Sequence, residues 1–575
     1  MNRHIFFRIL SYFKPYLLPA GLCLLLAAVI NGAELAGPYI MKLAIDGVIL
    51  AEKPEIDIEL IGLLYLGAVL VGASTNYAQA IILNTIVERI IHNIRMKLFA
   101  HIQAMPLSFF DRNSSGGILT RVTNDVEALH RMYSGVLVAL FKDVFLLLGI
   151  IIAMFELNIR LTLISFTVIP IIISVTYLYQ KRAVKNFKKI RALIARINGF
   201  LAENISGMRL VQIFHREREK FREFVQLNHE YNRANVYEVV LMGLFRPAAE
   251  LINSLGVAVL IWYCIPGIFQ STVEIGVLFA FITYSKKFFG PINDLAEKYN
   301  VVLSGSVSAE RIFALMDNCE GYEEPEKGLP LPEIKGELEF RHVWFSYNER
   351  DWVLKDVSFK VCPGETVAFV GATGSGKSTI INLIGRFYEA QQGEILLDGV
   401  NIRHYRLGEL RKKIAVVMQD VFLFSGDIES NIRLNSFEIS EDEVIQAAEY
   451  VGADQFIERL PEKYHETVRE RGCTLSAGQR QLLSFARAIA FNPAILVLDE
   501  ATANIDTETE TLIQESLVKV SRHRTTLVIA HRLSTIRNAD KIIVIHKGRI
   551  REMGRHDELL AKGGIYKSLY DIQYA

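Results

Sequence analysis

The first half of this chain is dominated by stretches long enough to cross a bilayer, and they leave it few ways to fold. Apolar segments lie near residues 16–45, 59–83, 134–156, 160–179, 246–268 and 273–293. A run of roughly 20 apolar residues spans the hydrocarbon core as a helix. Inside lipid the backbone must satisfy its own hydrogen bonds, so six membrane helices are expected. Residues 51–58 and 157–159 are short connections, and 269–272 carries no Lys or Arg. By contrast, 84–133 and 180–245 are long and dense in both. The positive-inside rule therefore places these two loops and both termini in the cytoplasm. Within them, IVERIIHNIRMKLFAHI and YQKRAVKNFKKIRALIARI keep a helical apolar period, which predicts membrane helices that continue into the cytoplasm. They turn at FFDRNSSGG (109–117) and ENISGMR (203–209), where small residues and glycines break a helix.

Charges inside such spans are costly and face a cavity or a partner. Glu34, Lys142, Asp143, Arg246, Glu250, Lys286 and Lys287 are of this kind. Glu34 and Glu250 are the candidates for substrate contact; pairing between helices or snorkelling is the alternative. Lys plus Arg and Asp plus Glu balance at 63 each, so no basic field points to nucleic acid. Five cysteines lie far apart without metal-ligand spacing, as suits thiols in a reducing cytosol. The N-terminus, MNRHIFFRILSYFKPY, is basic and aromatic without a small-residue cleavage site. It reads as a retained amphipathic segment.

The second half has a different character. Residues 318–335 are rich in Pro, Gly and Glu and read as a linker. GELEFRHVWFSY then alternates like an edge strand and ends at Tyr347. Further on, GATGSGKST (371–379) fits G-x-x-x-x-G-K-[ST]. It follows the apolar run TVAFV, a buried strand, and opens STIINLIGRFY, a helix with Ile380, Ile381, Leu383 and Ile384 toward a core. Gly371, Gly374 and Gly376 let successive N–H groups curl toward phosphate oxygens, with Thr373, Ser375 and Thr379 completing the cradle. Lys377 can reach the β- and γ-phosphates, and the Ser378 hydroxyl can ligate Mg²⁺. AILVLDEA (494–501) describes a buried strand that delivers carboxylates to its C-terminal end, where ligands of open α/β sheets bind. Asp499 is placed to hold Mg²⁺ and Glu500 to polarise an attacking water. TTLVIAH (525–531) ends in the same way at His531, which could bond the γ-phosphate and that water.

Taken together, these stretches resemble a family. FFDRNSSGGILTRVTNDV looks like the first intracellular loop of ATP-binding cassette (ABC) exporters. KKFFGPINDLAEKY with SAERIFALMD (308–317) is similar to the end of their sixth helix and the exit to the nucleotide domain. The resemblance implies short coupling helices near 111–117 and 205–211. LSAGQRQ (475–481) resembles the family signature, which implies that Ser476, Gly478 and Gln479 read the γ-phosphate of ATP held by a second nucleotide domain. Tyr347 matches the aromatic residue that stacks on adenine. Gln419, in VVMQD, matches the glutamine that joins Mg²⁺ and water to the membrane domain. In ANID (503–506), Asp506 matches the residue facing the partner subunit, although Asn-Ile replaces the usual pair before it.

Ala477 stands where the signature usually has glycine, and its methyl group could crowd the phosphate or restrict the backbone. Family members with altered signatures often pair with a different half-transporter. Glu500 and His531 are intact, so this chain resembles the competent half of such a heterodimer, with a homodimer as the alternative. The expected architecture is a helical membrane domain (1–317), a linker (318–335) and an α/β P-loop ATPase domain of the ABC type (336–575). The expected activity is ATP- and Mg²⁺-dependent export or flipping of a hydrophobic or amphipathic molecule (drug, lipid or lipopeptide) by alternating access. Its setting would be a bacterial cytoplasmic membrane, in contact with lipids, with the nucleotide domain on the cytoplasmic side. An ATP-gated channel or regulatory membrane ATPase would share the architecture.

Overall fold

The computed structural model describes residues 3–50, 57–269, 274–318, 329, 334–348, 350–499, 507–529 and 536–574. The chain forms two compact units: Met1–Gln103 with Ser114–Cys319, and Ala104–Asn113 with Glu320–Ala575.

The first unit is helical. Among the described residues, five helical stretches are long and apolar enough to cross a membrane: Lys14–Ile49, Ile58–Ala104, Ser115–Leu157, Ile159–Ser206 and Glu217–Pro266. The sixth expected span lies in helix Ile275–Met316, whose apolar start is interrupted by Lys286 and Lys287. The Ile58–Ala104 helix has 47 residues. At about 1.5 Å per residue it reaches about 70 Å, more than twice the hydrocarbon thickness. The expected aqueous extensions are therefore continuous helix. Leu63, Leu70, Leu251 and Trp262 are exposed on these helices, as lipid-facing residues are.

Local chemistry sets the turns. Asn158 caps the helix Ile159–Phe166 by accepting from Leu161 N at 3.2 Å, which makes 157–159 the tight connection its length implies. The long hairpin of Ile169–Ser206 and Glu217–Phe269 is pinned where Asn186 Nδ2 donates to Ala234 O at 2.9 Å and to Glu238 at 2.8 Å. At its tip, Gly207 separates the first arm from a short helix, Met208–Ile213. Two further short helices are Leu107–Arg112 and Ser115–Thr120. The expected 111–117 falls across the break between them, where Asn113, in extended backbone, stops the first and Ser114 caps the second.

The second unit is built on a six-stranded sheet. Among the described residues of this unit, the strands run β1 (Leu338–Phe345), β2 (Leu354–Val361), β3 (Thr366–Val370), β4 (Gln392–Leu397), β5 (Val400–Asn401), β6 (Ile414–Val417), β7 (Gly426–Asp427), β8 (Thr467–Val468), β9 (Ile495–Asp499), β10 (Thr525–Ile529), β11 (Lys541–His546) and β12 (Arg549–Gly554). The main sheet has the order β12-β11-β3-β10-β9-β6. All its neighbours are parallel except β12 on β11. A second, antiparallel sheet has the order β2-β1-β4-β5, and β7 pairs with β8. β1 is thus not an edge strand: Leu338 pairs with Val361 on one side and Leu397 on the other. Alternation reports one buried and one solvated face, and an interior antiparallel strand shares that with an edge strand.

Strand period divides the core in two. Ala368, Val370, Leu496, Leu498 and Val528 join one cluster with Leu482 and Phe485 of helix Ala477–Ala490. Val367, Phe369, Ile495, Val497 and Leu527 join the other with Ile380, Ile381, Leu383 and Ile384 of helix Lys377–Ile384. These two helices therefore cover opposite faces of the sheet, because successive side chains of β3 and β9 point to opposite sides.

Candidate functional site

The loop between β3 and helix Lys377–Ile384 is shaped by glycines. Gly374 (φ +77°) and Gly376 (φ +107°) occupy backbone that L-residues rarely adopt. Gly371 is required for another reason: a Cβ there would lie 2.3 Å from the Ile545 carbonyl oxygen on β11. The Ser375 hydroxyl is buried among the loop residues with no hydrogen-bond partner in the described structure. Lys377 is also buried, and its ammonium donates to Gly371 O at 2.7 Å and Ala372 O at 3.2 Å. Burial lowers its pKa, and the nearby Asp499 charge partly opposes that shift. Thr373 and Ser378 are exposed on the loop, while Thr379 is buried. A curled backbone, an unpartnered buried hydroxyl and a partly desolvated cation together form an anion cradle.

Strand register gathers the other groups. Ile529 pairs with both Phe369 and Asp499, and Leu498 pairs with Val417. The C-terminal ends of β3, β10, β9 and β6 therefore lie along one edge of the sheet. That edge carries the phosphate loop, Asp499 at the end of β9, and Gln419, exposed two residues beyond β6. Glu500, Asp506 and His531, expected next to them, lie outside the described residues. Ser378, Gln419 and Asp499 all offer oxygen ligands, the donor type that Mg²⁺ takes.

Tyr347 follows β1 and is 49 % exposed. Its hydroxyl donates to Thr379 Oγ1 at 3.2 Å and accepts from Asn382 Nδ2 at 3.3 Å. The ring is thus tethered to the helix that follows the phosphate loop, while the residue stays about half exposed.

Ser476 caps helix Ala477–Ala490. Its Oγ accepts from Gln479 N at 3.2 Å, and Gln479 Oε1 accepts from Ser476 N at 2.9 Å. This reciprocal capping box leaves the Gln479 side chain engaged with its own helix. Gly478 is buried in the first turn. Ala477 is the first helical residue, is exposed, and does not have positive φ. Its backbone therefore suits alanine, so the expected backbone restriction is not found. Helices Ala477–Ala490 and Lys377–Ile384 flank opposite faces of the sheet, and the Ser476 end of the first is exposed.

In the helical unit, Glu34, Lys142, Asp143 and Lys287 are tied across helices. Glu34 meets Lys142 at 3.1 Å, and its backbone carbonyl accepts from Lys287 at 2.6 Å. Asp143 pairs with Lys298. Glu34 is thus a tie between helices, the alternative to substrate contact. Glu250 and Lys286 are exposed, and the Arg246 side chain lies outside the described part.

One contact had no signal in sequence. Tyr388, after the phosphate-loop helix, donates its hydroxyl to the carboxylate of Asp111 on helix Leu107–Arg112. The two residues are 277 positions apart, and no local pattern connects them.

Comparison with known proteins agrees with this geometry. Residues 20–292 match the family described as ABC transporter transmembrane region, and residues 354–503 match ABC transporter. The chain is 42% identical over 531 residues to "Probable multidrug resistance ABC transporter ATP-binding/permease protein YheH" of Bacillus subtilis, covering 91% of this chain and 78% of that protein. It is 35% identical over 573 residues to the "ATP-dependent lipid A-core flippase" of Syntrophus aciditrophicus, covering 99% and 94%. A solved bacterial Atm1-family ABC exporter with ATP bound superposes with a TM-score of 0.80 at 28% identity, covering 98% of this chain and 99% of that one.

Proposed function

The chain belongs to the ABC transporters, with membrane and ATP-binding regions on one polypeptide, and from that premise we propose that it is one half of a dimeric exporter. It is a membrane protein that hydrolyses ATP to drive transport. Its substrate is a hydrophobic or amphipathic molecule, a drug or a lipid, moved out of a bacterial cytoplasmic membrane. The relatives named for multidrug resistance and lipid A-core flipping support that class.

The observation that supports the dimer is that Ser476, exposed at the N-terminus of a helix covering the sheet face opposite the phosphate-loop helix, is free to meet a second chain. In a pair of chains facing each other, the Ser476 end of one helix meets the nucleotide held by the other chain's phosphate loop. Exposed apolar residues agree: Leu210 and Ile213 on helix Met208–Ile213, and Phe422, Phe424 and Phe437 on the nucleotide unit, await cover.

In this reading adenine stacks on Tyr347. The backbone N–H groups of 371–379 and Lys377 hold the phosphates, so most of the catalytic effect is positioning. Ser378, Gln419 and Asp499 are the residues that would hold Mg²⁺, which supplies charge neutralisation when bound. Glu500 polarises the attacking water, His531 steadies it, and Asp506 faces the partner. The helix N-terminus at Ser476 and Gly478, with Gln479 locking the cap, meets the γ-phosphate from the other chain. Closure over ATP is passed to the short cytoplasmic helices, and hydrolysis resets the cycle. Ala477 in ordinary helical backbone is compatible with a homodimer as well as with a distinct partner half.

The experiment is Mg²⁺-dependent ATPase activity and mass of the chain in lipid nanodiscs, with and without Glu500→Gln. ATP binding should survive the substitution while turnover falls at least 100-fold, as expected of a general base. Hydrolysis by Glu500→Gln at the wild-type rate would remove Glu500 from its role. A particle containing a single chain that hydrolyses ATP fully would remove the dimer.

A further inference from the structure

The nucleotide unit carries a second cleft, at the edge of the sheet away from the phosphate loop. Its volume is about 510 Å³, within the range of small-molecule pockets. Helix Glu441–Tyr450 lines it with Gln446 and Tyr450, together with the C-terminal end of helix Ala477–Ala490. Asn492, ahead of β9, lines it too, as do Arg522, His523 and Arg524 in the turn between helix Thr507–Ser521 and β10. β9 and β10 run parallel to β3, so their starts lie opposite the edge that holds Asp499 and the phosphate loop. The five residues of β9 span about 16 Å, which keeps the cleft apart from the nucleotide site.

Charge in this cleft is unbalanced. Arg522 and His523 are exposed, and neither side chain has a hydrogen bond or an ion pair among the described residues. Arg524 donates to Val520 O and to Asn492 Oδ1, both at 3.3 Å. Those acceptors are neutral, so its charge is not cancelled. The acid in the lining is Glu443, and its carboxylate accepts from Ser440 N at 2.8 Å and Ser440 Oγ at 3.0 Å. Helix capping thus occupies it. A basic residue after a helix often serves the last carbonyls. Here Arg524 takes Val520 O and the Tyr450 hydroxyl donates to Lys519 O at 2.8 Å, which leaves Arg522 and His523 unspent. Asn492 (φ +43°) and His523 (φ +61°) both hold left-handed backbone, a costly state for such residues that gathers at ligand clamps.

We propose that this cleft is a second anion site, separate from the nucleotide site, that takes a small soluble phosphate or diphosphate. Arg522 is its anchor: a guanidinium presents paired N–H donors that match phosphate oxygens. His523 and Arg524 add ring and guanidinium donors beside it, and Gln446 offers an amide from helix Glu441–Tyr450. A bound anion satisfies cations that lack a carboxylate partner within the unit. It also ties helix Glu441–Tyr450 to the turn before β10. The site is independent of the exporter reading, because no residue of it belongs to the phosphate loop or the carboxylate edge.

The test uses the full chain in lipid nanodiscs, saturated with a non-hydrolysable ATP analogue so that the phosphate loop is filled, with free Mg²⁺ held constant. The probe is radiolabelled inorganic pyrophosphate, titrated at constant ionic strength against chloride. Saturable binding is expected, with slowed hydrogen exchange of the 522–525 amides. Arg522→Glu should weaken binding at least tenfold, as loss of a charged hydrogen bond does. Gln446→Glu, at an exposed helical position, should weaken it by repulsion, and it decides the matter if Arg522→Glu lowers the melting temperature. Affinity for the ATP analogue should stay within twofold in both variants. The proposal is overturned if both variants bind the probe as the wild type does, or if the analogue displaces the probe completely. It is equally overturned if the wild type shows no saturable binding, or if chloride at equal ionic strength protects 522–525 as well. Failure of the exporter reading would be seen separately, as an absence of Mg²⁺-dependent hydrolysis by the wild type.

Discussion

Ser476 has two duties that a pair of substitutions can separate. Its hydroxyl caps helix Ala477–Ala490 by accepting from Gln479 N, and the same helix N-terminus is proposed to face a phosphate. Ser476→Ala removes the cap, a loss of about 1 kcal/mol. The helix buries Leu482, Leu483, Phe485 and Ala486 in the core, so the loss falls on the whole nucleotide unit. For a domain of this class that lowers the melting temperature by about 2–4 °C. Ser476→Asp restores a good cap and adds a carboxylate that the helix dipole favours by about 0.3–1 kcal/mol. It should therefore melt at or above the wild type. Against a phosphate at about 5 Å, with an effective dielectric of about 20, the same carboxylate costs about 3 kcal/mol, or roughly a hundredfold in occupancy. The assay pairs thermal unfolding with Mg²⁺-dependent ATPase rate in one membrane mimetic. Ser476→Ala should show lowered stability with modest loss of turnover. Ser476→Asp should show intact stability with turnover down about 100-fold. Wild-type hydrolysis by Ser476→Asp would refute the phosphate role, and melting of Ser476→Asp as low as Ser476→Ala would refute the capping argument.

Other perturbations follow from the same geometry. Gly371→Ala sets a Cβ 2.3 Å from the Ile545 carbonyl on β11, a backbone atom that cannot step aside. It should raise the ATP concentration for half-saturation at least tenfold and cost about 1–3 kcal/mol in unfolding. Gly305→Ala places a methyl 2.7 Å from Met132 Cβ between buried helices. An overpacking loss of about 1–3 kcal/mol is expected in thermal unfolding, with nucleotide affinity unchanged. Lys377 is a buried cation whose pKa is lowered by desolvation. The folded chain thus releases this proton before the unfolded chain does, and its destabilising effect fades as pH rises through the lowered pKa. Lys377→Met should melt above the wild type at neutral pH, the gap should narrow toward pH 10, and ATP binding should be lost. A gap that widens with pH would reverse the sign of this argument.

The features legible in sequence were those written in short range. Helical period and apolar length marked the spans and their aqueous extensions. The strands β3, β9 and β10 were visible as short apolar runs bounded by turns, and the motif glycines announced the phosphate loop between β3 and its helix. Asp499 could be placed at a strand end by the same reading and Gln419 by resemblance, and the described register gathers both at one edge. Glu500, Asp506 and His531 were legible as motif residues and lie outside the described residues.

Only the tertiary structure decided matters that depend on pairs distant in the chain. Whether Glu34 meets a ligand or Lys142 depends on which helices pack together, and no period within one helix encodes that. β1 read as an edge strand because alternation reports its two faces but not its two neighbours. Ala477 looked disruptive by residue type, yet the capping box holds it in helical backbone, where a methyl group is at home. The division of the core by alternate side chains put helices Ala477–Ala490 and Lys377–Ile384 on opposite faces, and Tyr388 found Asp111 across 277 residues. Local sequence determines backbone preference and periodicity because those are properties of neighbours along the chain. Contacts between distant segments arise only when the apolar faces have packed, so the partners of Glu34 and Tyr388 belong to the fold.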